Sequence, residues 1–193
     1  MSQRTGQYQR KTKETHIAAT ICLDGGDVSV STGIGFFDHM LTAFAVHGGF
    51  GLTLTAKGDL EVDGHHTVED TGIVLGKALA AALGDKGNIA RFGHAYIPMD
   101  EALAFAAVDV SGRPYLVYDA RLREEKVGEF DCCLTPEFFR ALAFHAGITL
   151  HLQVAYGDNA HHMIEALFKA AAHALRIAVA QKDGLLSTKG ALD

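Results

Sequence analysis

The segment DGHHTVED (residues 63–70) returns as DNAHHMIEA (residues 158–166), and an offset of 96 places His65, His66 and Glu69 on His161, His162 and Glu165. The same offset carries Val68 to Ile164, Leu75 to Ala171, Leu79 to Leu175 and Ala82 to Ala178. Spacings of seven, four and three mark the apolar face of an amphipathic helix, so each histidine pair opens a similar helix. Upstream, an offset of 98 aligns DHMLTAFAVHGGFGLTL (38–54) with PEFFRALAFHAGITLHL (136–152), with His47 on His145 and Gly49 on Gly147. Each unit reads as helix, glycine turn, strand, loop, helix.

Segments 7–23, 28–31, 50–57, 93–98, 102–110 and 114–122 are β-like by alternation or β-branched content. Glycines at Gly25-Gly26, Gly48-Gly49 and Gly84–Gly87 punctuate them. The fold class expected is α+β, an internal duplication of two similar half-domains, each a small mixed sheet with two helices on one face. Residues 1–90 form the first half-repeat and 91–193 the second, together one compact unit.

With 48% hydrophobic and 21% charged residues the composition is that of an ordinary globular chain. A net charge of −6 argues against general nucleic-acid binding, so any phosphate must be held by a few local cations. The basic cluster Arg4, Arg10, Lys11 and Lys13 reads as a solvated strand or arm. Cys22, Cys132 and Cys133 build no disulfide framework, and no CxxC spacing suits a zinc knuckle. The N-terminal MSQRTGQYQRKTKE lacks an apolar signal core and no run approaches a membrane span, so a soluble cytoplasmic protein is expected.

On a helix, neighbouring residues diverge by about 100°, whereas i and i+3 or i+4 share a face. Glu69 therefore stands beside His65 or His66, while the two histidines point apart and serve different ions. Two such helices meeting would build two metal sites, each with one histidine from each pair plus a carboxylate. Imidazole and carboxylate donors without thiolate suit manganese, iron, zinc or nickel. The pattern is not HExxH, which disfavours a zincin protease. A third ligand is expected from the first helix of each unit: His39 in the first, and Glu137 in the equivalent slot of the second. His151 competes with Glu137 for that part, and Glu137 also reads as an N-terminal helix acid after Pro136.

These residues sit in a chain that closely resembles the imidazoleglycerol-phosphate dehydratase family. The resemblance covers essentially the whole sequence and rests on KTKET (11–15), GIGFFDHML (33–41), DGHHTVEDTGIVLG (63–76), RFG (91–93), DEAL (100–103), SGRPYL (111–116), NAHHMIEALFKA (159–170) and STKG (187–190). It implies a fold like domain 2 of ribosomal protein S5. It also implies removal of water from D-erythro-imidazole glycerol phosphate to give imidazole acetol phosphate. Two manganese ions (Mn2+) per active site would stabilise the ring as an imidazolate, with a diazafulvene-like intermediate.

By the same resemblance Glu14 is the general base, although alone it reads as a solvated strand carboxylate beside Lys13. His65, Glu69, His161 and Glu165 are implied catalytic ligands, with His39, His66, His162 and Glu137 completing the metal set. Arg91, Arg113, Lys169, Ser187, Thr188 and Lys189 are implied to hold the substrate, chiefly its phosphate, with His39 and His47 near it. Lys169 follows His161 by eight residues on one helix, about 12 Å along the axis. Glu137 stands where many relatives have His, and Ala43 where some have Gln. The C-terminal LLSTKGALD is implied to order over phosphate. The partners implied are copies of the chain: trimers assembling to a 24-mer, with active sites between subunits. A metal-storage protein and a dimetal hydrolase are the competing classes, and the first would need no converging phosphate cations.

Overall fold

The computed structural model describes residues 3–184, 186 and 187. The first half runs β1 (Thr5–Lys11), β2 (Thr15–Cys22), β3 (Val28–Ser31), α1 (Gly35–Gly48), β4 (Gly51–Gly58) and α2 (His65–Leu83). The second runs β5 (Phe92–Met99), β6 (Ala102–Asp109), β7 (Tyr115–Asp119), a short hairpin of β8 (Lys126–Val127) and β9 (Phe130–Asp131), α3 (Leu134–Ala146), β10 (Thr149–Tyr156) and α4 (Ala160–Ala178). The sheet orders are β1-β2-β4-β3 and β5-β6-β10-β7. In each, two antiparallel pairings precede one parallel pairing, β3 on β4 and β7 on β10. The duplication is thus complete at the level of topology, and the β8–β9 hairpin is an insertion that the sequence pattern did not signal.

Period-two burial drives the sheets. In β2 Thr15, Ile17, Ala19 and Ile21 turn inward, and in β6 Ala102, Ala104, Ala106 and Val108 do so. Each sheet buries that face under its own two helices, and the helix layers of the two halves then pack on each other, α1 with α4 and α2 with α3. A ring cluster of Phe37, Phe130, Phe138, Phe139 and Phe168 fills the space between them. The glycine turns after α1 and α3 are left-handed caps, with φ of 67° at both Gly49 and Gly147.

Two departures from the sequence reading matter for the site. Segment 7–23 is not one strand. Thr12 N–H donates to Thr15 O, while Thr12 Oγ1 accepts from Glu14 N–H and Thr15 N–H, closing a tight turn. Glu14 therefore sits in a hairpin turn rather than along a strand. The basic cluster is also not wholly solvated: Arg10 Nε pairs with the buried Asp70 at 3.0 Å, and Arg4 pairs with Asp24 at 2.6 Å.

Strand and helix backbones come close at two glycines that are counterparts at an offset of 87 residues. A methyl group on Gly6 would lie 2.0 Å from Ala78 O, and one on Gly93 1.9 Å from Ala174 O. These contacts seat α2 on β1 and α4 on β5. Gly93→Ala should therefore destabilise the protein by about 3 kcal/mol in thermal unfolding. Gly35→Ala, which meets nothing within 4 Å, should change stability by no more than about 0.5 kcal/mol.

Candidate functional site

Helix N-termini gather at one end of the molecule. A methyl on Gly64, which caps α2, would lie 3.3 Å from both Ile34 before α1 and Leu134 at the start of α3. Phe36 packs edge-on against His161 at 5.0 Å. Because α1 lies on α4, His39 meets the second half's histidine helix and not its own. One ligand atom each from His39, His161 and Glu165 lie within 4.8 Å of one another. His161 Nε2 is 3.1 Å and His39 Nε2 3.5 Å from Glu165 Oε2. Two imidazoles and a carboxylate, with no thiolate, are a fitting donor set for a divalent first-row cation.

Lys169 closes this corner. Its ammonium does not extend along the helix but turns back to Glu165 Oε1 at 2.6 Å, with Met99 Sδ at 3.6 Å. Burial pushes the Glu165 carboxyl up, but Lys169, His39 and His161 together outweigh that and hold it below its ordinary value. Further along the same interface His47 Nδ1 and His173 Nε2 are 3.4 Å apart. Burial, then the Lys169 and His173 charges, push His47 below 6.5. Ala43, between His39 and His47 on α1, is buried and offers no polar atom.

The neighbouring histidines of each pair diverge. His65 and His66 have ring planes at 89°, and His161 and His162 at 76°. His65 Nε2 is 3.7 Å from Glu69 Oε2, the repeat counterpart of the His161–Glu165 contact. On the helix packed there, Glu137 turns to Arg140 at 3.0 Å, and among the described residues it joins no ligand cluster. His151 points outward from its sheet, between the inward Leu150 and Leu152. His145 Nδ1–H donates to Ala141 O, a bond within its own helix.

Two acids that the sequence reading did not single out hold the second histidine of each pair. Asp59 lies 3.0 Å from His66 Nδ1, and Glu101 2.7 Å from His162 Nδ1. These contacts raise both histidine pKa values and hold Glu101 far below the usual carboxylate range, at about 2. Glu101 lies in the DEAL segment (100–103) and stands 87 residues after Glu14. Glu14 stands at the Asp59 corner, lining a shallow depression of about 320 Å³ with Lys13, Lys57 and Asp59.

The arginines lie elsewhere. Arg91 is held in a left-handed conformation (φ 70°), its guanidinium 2.7 Å from Asp109 and 2.6 Å from the Leu186 carbonyl. Arg113 reaches the same Asp109 at 3.5 Å. Ser187 adjoins this segment in sequence, and Thr188 and Lys189 lie outside the described residues.

A family model for imidazoleglycerol-phosphate dehydratase matches residues 32–175. Proteins of that name from Symbiobacterium thermophilum and Acetivibrio thermocellus are 62% and 57% identical to the chain, over 100% and 96% of it and 94% and 97% of their own lengths. The crystal structure of the Staphylococcus aureus dehydratase superposes with a TM-score of 0.83 at 44% identity, covering 92% of this chain and 99% of that one. The structure of the Pyrococcus furiosus protein, in complex with (S)-C348, gives 0.86 at 41% identity, covering 96% and 100%. Fold and matches together define an enzyme of the dehydratase class. The chain belongs to the imidazoleglycerol-phosphate dehydratase family, whose reaction stands in histidine biosynthesis.

The lowered His47 pKa has a stability consequence. The unfolded chain takes up this proton near 6.5 and the folded chain only at lower pH, so stability is fully present above 6.5 and falls on acidification. In metal-free protein, the melting temperature of wild type relative to His47→Leu should drop as pH goes from 7 to 5. A constant difference would contradict the buried, cation-flanked placement of His47.

Proposed function

We propose that this chain converts D-erythro-imidazole glycerol phosphate to imidazole acetol phosphate and water, with two manganese ions per active site. The observation that carries the reading is the three-donor corner of His39, His161 and Glu165 with the Lys169 cation against it. His65, His66, Glu69, His162 and Glu137 supply the remaining donors. When bound, the two cations would stabilise negative charge on the ring.

The chain's own residues do the rest. The hydroxyl on the carbon joined to the ring is the one that ring electrons can expel, through a diazafulvene-like intermediate. Glu14 takes the proton from the next carbon along the chain, and that proton with the expelled hydroxide accounts for the water lost. The resulting enol becomes the ketone, with a proton added at the carbon joined to the ring. Lys169, Arg91, Arg113, Ser187, Thr188 and Lys189 hold the phosphate, with His47 beside them.

Distance supports a site shared between subunits. Arg91 N–H donates to Ala178 O, at the far end of α4 from His161. That separation is about 25 Å along the helix, far longer than an imidazole ring with a three-carbon phosphate. One chain therefore does not bring Arg91 and Arg113 to a substrate held at His161, and a neighbouring copy does. Trimers building a 24-mer would supply that neighbour. No described helix is long and apolar enough to cross a membrane, which accords with a cytoplasmic assignment.

Manganese-loaded protein given imidazole glycerol phosphate should yield the enol-ketone product without inorganic phosphate. Phosphate release would instead mark a dimetal hydrolase. Glu14→Gln should keep bound manganese and lower turnover by about 10²–10⁴-fold; loss of metal would remove it as the base. Glu137→Ala should lower the manganese-to-chain ratio, and an unchanged ratio excludes it as a ligand.

A further inference from the structure

The β1–β2 and β5–β6 hairpins are repeat counterparts, with Thr5 on Phe92 and Thr15 on Ala102, an offset of 87 that places Glu14 on Glu101. The two glutamates occupy the same turn position and make different contacts. Glu101 Oε1 accepts from the backbone N–H groups of Asp158 (3.2 Å) and Asn159 (2.8 Å), just before α4. Its other oxygen, Oε2, accepts from His162 Nδ1 at 2.7 Å. In the first half the equivalent histidine, His66, is met by Asp59 from the end of β4, at 3.0 and 3.2 Å. Glu14 makes neither contact.

An ionised carboxylate only accepts hydrogen bonds, so Nδ1 carries the hydrogen in both pairs and Nε2 is the nitrogen left to bind a cation. Asp100 Oδ2 lies 3.5 Å from His162 Nε2, but that side chain is 71% exposed and the contact is long. The ring orientation is thus set from the Nδ1 side. We infer that Glu101 and Asp59 are positioning residues that fix His162 and His66 with Nε2 presented to a divalent cation. Glu101 therefore does not repeat the role of its counterpart Glu14. The inference rests on the metal-centre reading above.

Glu101→Gln separates this role from helix capping. The amide oxygen keeps the backbone acceptor at the Oε1 position, while the amide nitrogen replaces Oε2 and donates. His162 Nδ1 must then accept, which moves the ring hydrogen to Nε2. Asp59→Ala removes the acceptor at His66 outright, since either oxygen of Asp59 reaches Nδ1 and an asparagine could still turn its oxygen there. Manganese affinity of the assembled protein, measured by electron paramagnetic resonance of the free ion, should fall about 10- to 100-fold in each variant. The melting temperature of the metal-free protein should stay at the wild-type value. Glu14→Gln should bind manganese as tightly as wild type. Unchanged affinity in Glu101→Gln and Asp59→Ala overturns the inference. So does a lower metal-free melting temperature with affinity intact, which makes Glu101 only a cap, and so does equal loss of affinity in Glu14→Gln. Failure of the wild type itself to bind manganese sinks the metal-centre reading and this inference together.

Discussion

The buried carboxylate of Glu165 is the constraint on which the site turns. Burial pushes this carboxyl up, and Lys169, His39 and His161 outweigh that and hold it below its ordinary value. Two of those partners come from its own helix, at i+4 and i−4. The third comes from α1 in the other half of the chain. The two halves must pack helix layer against helix layer for His39 to arrive. A metal-type corner is therefore a product of the duplication as a whole, and neither half builds it alone.

Duplication also explains the site's asymmetry. The α1–α4 interface carries His39, His47, His161, Glu165, Lys169 and His173, a polar ladder at helical spacing. Its counterpart, α2 on α3, has Gly72 and Gly76 against the Phe138 and Leu142 carbonyls, and Ile73 where α4 has Lys169. Close backbone packing replaces the ladder there. The α1–α4 interface is thus polar along its length, whereas the α2–α3 interface is closed by backbone contact.

Much of this was legible in the sequence, for physical reasons. The 96-residue offset exposed the paired helices because apolar periodicity and the histidine pairs repeat together. Divergence of neighbouring histidines follows from helix geometry alone. What stayed hidden depends on tertiary contacts. Repeat alignment pairs His39 with Glu137 but does not say that α1 crosses to α4. The turn within 7–23 went unmarked because at Thr12 it is made by a hydroxyl and not by glycine or proline. The sheet-to-helix contacts at Gly6 and Gly93 join segments far apart in sequence, so spacing along the chain does not disclose them. The parts of Asp59 and Glu101 stayed hidden because they depend on the turns that bring them to His66 and His162.

The central claim is that two divergent histidine pairs, brought together between copies of the chain, bind two ions for one substrate ring. An anomalous-scattering map at the manganese edge, from crystals of the metal-loaded assembly, tests it most directly. The account predicts two peaks in each active site, each bound by one histidine from each pair, with ligands drawn from more than one chain. One peak per site, or a complete set of ligands from a single chain, would contradict it.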